Sequence, residues 1–192
     1  MNVLISGFEP FGNREVNNSW EVAKRFEASN EIDVCRVPVS FRKSHDVIID
    51  ALRRKEYDLV ILLGETAFTK DYVRLERLAI NYKDSTKPDN DGYIACDEEL
   101  VRNAPKAYFS TLPIKRLTAY LKELGHKVKI TNSAGTFVCN SLYYHVLRYL
   151  EGNGSDTAAL FLHLPVETEV VSMKEMEDTL AAILSYFNKS PF

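Results

Sequence analysis

The residues of this chain best suited to covalent chemistry are its three cysteines and four histidines, and Cys139 holds the most telling position among them. Asn132 to Thr136 reads as a turn of small and polar residues around Gly135, and Val138, Leu142, Val146, Leu147 and Leu150 then recur at helical spacing. Cys139 therefore falls in the first turn of a helix that follows the strand Lys127–Thr131. There the unpaired N–H groups and the positive end of the helix dipole favour thiolate, and the same N–H groups can hold an oxyanion. Both effects serve acyl transfer. A single cysteine on a helix is more often packed in a core, so the thiol needs partners before it counts as a nucleophile.

A thiol nucleophile calls for a base, usually histidine, and a third group to orient it. His145 lies six residues further along the same helix, about 240° around its axis, and points away from Cys139. His126 precedes its strand and is expected at the opposite, amino edge. His163 ends the apolar strand Ala158–Leu162 just before Pro165 and is the best-placed partner, while His45, at the start of a helix that follows a strand, shares that edge and stays open. Among 27 carboxylates, Glu76 sits in the partly apolar segment Val73–Ile80 and could accept an imidazole N–H. The plainer alternative, favoured on residue pattern alone, is an outward-facing carboxylate paired with Arg74 or Arg77.

These side chains need a frame. The 192 residues, 45% hydrophobic and 27% charged, suit one domain spanning residues 1–192. Asn18 with Glu21 signals a helix to about Phe26, Ser44–Lys55 carries one apolar face, Pro113 opens a helix that stops on Gly125, and Ser172 with Glu175 caps the last helix to about Phe187. Strands are expected at Val3–Ser6, Ile32–Val37, Leu59–Leu63, residues 127–131 and Ala158–Leu162. This alternation predicts an α/β fold, a three-layer α/β/α arrangement with a mostly parallel twisted sheet and its site outside the carboxyl ends of the strands. From Gly64 to about Tyr108 the rhythm fails, which marks a functional insertion.

Composition narrows the function classes. A net charge of −3 with scattered Lys and Arg implies no nucleic-acid partner, and no apolar run reaches a membrane span. Three cysteines without a CxxC pair fit a reducing compartment, so the expected location is cytoplasmic, with no metal site.

Four blocks then carry a resemblance. They are Gly7-Phe8-Glu9-Pro10-Phe11-Gly12; Glu76-Arg77-Leu78-Ala79-Ile80-Asn81 with Pro88-Asp89-Asn90; Ala107 to Lys115; and Ser133 to Asn140 with Phe161-Leu162-His163-Leu164-Pro165. In order and spacing they closely resemble the pyroglutamyl peptidase I family of cytosolic cysteine exopeptidases. The resemblance implies catalytic residues Glu76, Cys139 and His163, an apolar pocket including Phe8, Phe11, Phe137 and Val138, and peptides with N-terminal pyroglutamate as substrates. It also implies a homotetramer and no metal or organic cofactor. Two loops depart from the family pattern: Gly64 to Lys70, where a glycine-rich turn and an arginine are usual, and Thr86-Lys87, where an arginine is usual at the first position. Lys87 and Arg74 are the candidates to replace the missing charge. A low-turnover binder of pyroglutamyl-like N-termini and a thiol amidase for another small acyl group are the competing readings.

Overall fold

The computed structural model describes residues 1–27, 31–166, 168 and 170–189. Its strands are β1 (Val3–Phe8), β2 (Ile32–Val37), β3 (Leu59–Thr66), β4 (Val73–Glu76), β5 (Leu78–Ile80), β6 (Ala107–Phe109), β7 (Val128–Thr131) and β8 (Ala158–Pro165). Its helices are α1 (Asn18–Ala23), α2 (Ser44–Arg54), α3 (Ile114–Glu123), α4 (Val138–Gly152) and α5 (Met173–Lys189), with a short 3₁₀ turn at Lys24–Phe26 extending α1. Six strands form one sheet in the order β2-β1-β3-β8-β4-β7, and β5 pairs with β6 in a separate antiparallel ribbon.

Strands β1, β3 and β8 are mostly apolar and buried along nearly their whole length because both of their faces are covered. On one face Leu59, Ile61, Leu63, Leu160 and Leu162 pack with Val22 of α1, Leu117 and Leu121 of α3, and Leu180 and Ile183 of α5. On the other, Leu4, Val60, Leu62 and Phe161 pack with Ile48 of α2 and with Leu142, Val146 and Leu150 of α4. Helices on both sides of a mostly parallel sheet make the expected three-layer α/β fold. Each fully buried Leu or Ile contributes at most about 1.5–3 kcal/mol, so the two clusters hold the sheet in place collectively.

Glycine is required where α1 meets β1: a Cβ on Gly7 would stand 2.3 Å from the Ser19 carbonyl oxygen. At the other end of the chain, the Ser172 N–H donates to Glu175 Oε2 at 2.8 Å and the Glu175 N–H to Ser172 Oγ at 3.3 Å, the reciprocal capping box expected there.

Four local expectations change. Asn17, not Asn18, caps α1, accepting the Ser19 N–H at 3.1 Å, while the Asn18 side chain donates to the Pro165 carbonyl at 3.3 Å. Strand β3 continues past Leu63 to Thr66, so Gly64 is a strand residue. Likewise β8 continues to Pro165, which leaves His163 inside the strand, not at its end. The largest change is directional. β4 pairs antiparallel with β8 and parallel with β7, so the last two strands run against the other four. Val128 at the start of β7 is therefore level with the carboxyl end of β8, and His126 is not at the amino edge; it meets Thr179 Oγ1 of α5 at 3.1 Å. Periodicity reports which face a side chain takes but carries no strand direction.

Candidate active site

Alternation along β8 puts Phe161 and His163 on the face covered by α4, and alternation along β4 puts Arg74 and Glu76 there as well, opposite Val73 and Leu75. The antiparallel register sets Arg74 beside His163 and Glu76 beside Phe161. His163 can therefore reach along the neighbouring strand, and its Nδ1 lies 2.8 Å from Glu76 Oε1. Glu76 has 0% exposure, so it is not the outward-facing carboxylate of the plainer reading, although it does pair with Arg74 as that reading had it. A buried carboxylate needs several partners, and this one has three: the imidazole, Thr131 Oγ1 donating to Oε2, and the Arg74 guanidinium with Nε 3.0 Å from Oε1. With Glu76 ionised, Nδ1 carries the proton and Nε2 is left as the basic nitrogen. Arg77 instead turns to the next loop, donating to Asn132 Oδ1 at 2.9 Å.

The thiol reaches this same face from α4. The turn before α4 has Gly135 at φ 82°, a conformation that favours glycine, and Phe137 is the residue preceding the helix. Asn140, fully buried, locks the first turn: its Oδ1 accepts the Ile80 N–H and its Nδ2 donates to the Ile80 and Tyr82 carbonyls, each at 2.9 Å. These contacts bring Cys139 Sγ against β3 at Gly64, where a Cβ would stand 3.0 Å from the sulfur and 2.8 Å from the Phe161 ring. Gly64 is the register partner of His163, so the thiol sits over the β3–β8 pair at the level of the imidazole. Neighbouring strands are about 4.8 Å apart.

The electrostatics of the thiol differ from the expectation at a helix start. Burial, and then the Glu76 charge, push the Cys139 thiol up to about 12, against a smaller lowering from its own backbone N–H and from Arg74. The first turn of a helix favours thiolate only where the sulfur is also solvated, and here desolvation outweighs the dipole. The shift favours the neutral thiol at Cys139, which remains partly accessible.

Phe11 and Phe137 pack with ring centres 5.2 Å apart, and Phe41, which residue pattern did not single out, meets Phe137 at the same distance and Tyr93 at 5.7 Å. Phe8 and Val138 are buried beneath them in the core, so only Phe11 and Phe137 of the four implied pocket residues are partly accessible. Glu9 holds the Phe11 loop: its Oε1 accepts the Val39 N–H at 3.0 Å and Asn90 Nδ2 at 2.7 Å. Only the Gly-Phe-Glu-Pro-Phe-Gly and Pro-Asp-Asn blocks hinted at this clamp, as blocks and not as contacts.

Other candidates lie elsewhere. His45 stacks on His145 with ring centres 4.0 Å apart, in a groove between α2 and α4. Thr86 and Lys87 are exposed, and among the described residues no hydrogen bond or ion pair ties either to the Glu76 cluster; the cationic side chain that meets it is Arg74. Phe68, in the altered loop after β3, is 93% exposed. Among the described residues no group of three or more His, Cys, Asp or Glu could hold a metal ion, and no helix is long and apolar enough to cross a membrane.

Comparison with known proteins gives one consistent result. The family model described as pyroglutamyl peptidase matches residues 1–185. The pyrrolidone-carboxylate peptidase of Thermococcus onnurineus is 43% identical over 86% of this chain and 84% of its own length. The pyrrolidone-carboxylate peptidase of Bacillus subtilis is 39% identical over 85% and 77%. Among solved structures, pyroglutamyl peptidase I of Bacillus amyloliquefaciens superposes with a TM-score of 0.87 at 31% identity, covering 95% of this chain and 94% of that one. A mutant pyrrolidone carboxyl peptidase from P. furiosus superposes with a TM-score of 0.91 at 30% identity, covering all of both chains.

Proposed function

The chain belongs to the pyroglutamyl peptidase family, and from that premise we propose a cysteine exopeptidase that hydrolyses the amide bond after an N-terminal pyroglutamyl residue, with Cys139 as nucleophile, His163 as acid and base, and Glu76 as its orienting carboxylate. The observation that carries the residue assignment is the buried contact of His163 Nδ1 with Glu76 Oε1 at 2.8 Å, on the sheet face where the thiol lies.

The chemistry follows from the resting protonation states. Cys139 starts as a thiol, so its proton passes to His163 Nε2 as sulfur attacks the carbonyl carbon of the scissile amide. The developing imidazolium is stabilised by Glu76, and the oxyanion by the unpaired N–H groups at the start of α4. His163 then protonates the leaving amine, the C–N bond breaks and a thioester remains. Water, deprotonated by His163, attacks that thioester and releases pyroglutamate and the thiol. The lactam ring has no ammonium charge, which suits a cradle of Phe11, Phe41 and Phe137; a free N-terminal glutamate would pay to desolvate its charges there.

The protein acts in the cytoplasm, where its three free cysteines stay reduced, and assembles as a homotetramer; the first rests on cysteine usage and the second on the family resemblance alone. Light scattering on the purified protein tests the assembly. A chromogenic pyroglutamyl amide, assayed under reducing conditions with wild type and Cys139→Ser, tests the activity. Release of the chromophore by wild type and not by the variant is expected; no turnover, or equal turnover by both, overturns the reading.

A further inference from the structure

Arg74 is a further charged group that shares an oxygen with the imidazole. Its Nε lies 3.0 Å from Glu76 Oε1, the same atom that His163 Nδ1 meets at 2.8 Å. Arg74 and His163 are register partners on adjacent strands, so the guanidinium and the ring approach the carboxylate from the same side. Nη2 of Arg74 also donates to the Ser133 carbonyl at 2.7 Å, in the turn that leads to Cys139, and Nε is 3.3 Å from Thr131 Oγ1. One side chain thus touches the acid, the strand that donates to it and the turn that carries the nucleophile.

We propose that Arg74 is a positioning residue that sets the proton affinity of the Glu76–His163 pair, by drawing on the carboxylate oxygen that would otherwise serve the imidazole alone. This inference rests on the reading of His163 as the base. A guanidinium stays charged at all working pH, so it stabilises ionised Glu76 and opposes a second positive charge on the adjacent ring. Both effects work against holding an extra proton on the pair. The other groups facing it are few. From β4 there are only Glu76 and Arg74; α4 offers Cys139 and Tyr143, whose hydroxyl donates to the Glu76 carbonyl at 3.4 Å, and β3 offers uncharged Gly64. Lys129 on β7, the register partner of Arg74, turns onto the Tyr72 ring with Nζ 4.1 Å from its centre. Glu65, which alternates to the opposite face of β3, pairs with Arg14 at 3.0 Å.

The test compares wild type, Arg74→Met and Arg74→Lys. In the Cys139→Ser background, the titration of the His163 ring is followed by NMR; in the active enzyme, the acid limb of kcat/KM for a pyroglutamyl amide is measured. Arg74→Met is expected to move both midpoints up by about one pH unit, and Arg74→Lys to leave them close to wild type. If Arg74→Met does not fold, Arg74→Gln reads the same loss of charge while keeping a donor for Ser133. Midpoints that stay in place or move down on loss of the charge, or that move equally in Arg74→Lys, overturn the inference. A uniform drop in kcat with unmoved midpoints is a structural effect and overturns it too. The NMR arm needs no turnover, so it is separable from failure of the peptidase reading, which the Cys139→Ser activity comparison decides.

Discussion

Glu76 Oε1 lies 2.8 Å from His163 Nδ1, although 87 residues separate the two in the chain. This contact is the centre of the proposed chemistry and is open to direct challenge. Glu76→Gln keeps the shape and removes the charge that supports imidazolium. It is expected to lower kcat by about 10²–10⁴-fold, and to cost about 1–3 kcal/mol of stability because Arg74 loses its carboxylate. Steady-state kinetics with chemical unfolding checks both; wild-type kcat would remove Glu76 from the mechanism.

The approach of Cys139 to Gly64 is equally specific. In Gly64→Ala the new methyl group would stand 3.0 Å from the sulfur and 2.8 Å from the Phe161 ring, closer than packed atoms tolerate. The variant should fold with a loss of about 1–3 kcal/mol and a drop in kcat of tenfold or more, because the thiol is displaced from the level of His163. Thermal unfolding and kinetics separate the two effects.

The resting state of the thiol can be read without substrate. With burial pushing the Cys139 thiol up to about 12, alkylation by iodoacetamide, located by mass spectrometry, should keep accelerating as the pH rises through about 9. A plateau near neutral pH would mean that a thiolate–imidazolium pair forms before substrate binds.

Phe11 belongs to a loop and packs on Phe137 at 5.2 Å, so its truncation tests the pocket at little structural cost. Phe11→Ala is expected to raise KM about tenfold, equivalent to about 1.4 kcal/mol of lost apolar contact, with a smaller change in kcat. An unchanged KM would place the lactam elsewhere.

The stacked pair His45 and His145 is expected to contribute to acid sensitivity. Burial, His45, Arg148 and Lys83 lower His145 from 6.5 to about 3, so the folded protein holds it neutral where the unfolded chain would protonate it. The unfolded state then binds more protons, and stability is full above pH 6.5 and falls progressively as pH drops toward 3. Thermal unfolding at about pH 7.5 and about pH 5 should show this loss, and His145→Phe should reduce it. An equal loss in the variant would assign acid sensitivity to other groups.

Local chemistry made several features readable in advance. Pro113 and Gly125 bracket α3, and the Ser172–Glu175 box opens α5, because helix ends are satisfied by near neighbours in sequence. The sharing of one Glu76 oxygen by Arg74 and His163, and the place of Phe41, were harder to read. Nothing within a few residues of Arg74 shows that its oxygen partner is also held by His163, and Phe41 sits in a turn whose neighbours Phe137 and Tyr93 come from distant segments.

Although β4, β5 and β6 fall where the alternation along the sequence fails, local patterns placed the five helices, strands β1, β2, β3, β7 and β8, the faces on which their side chains fall, and Cys139 in the first turn of α4. These follow from periods of 2.0 and 3.6 residues and from caps, which are local. Only pairing between distant segments runs β4 against β8, which brings Arg74 level with His163 and Glu76 within its reach, and only the surrounding fold shifts Cys139 toward the thiol. Strand direction and burial depend on pairing between segments far apart in the chain, and no local period encodes either.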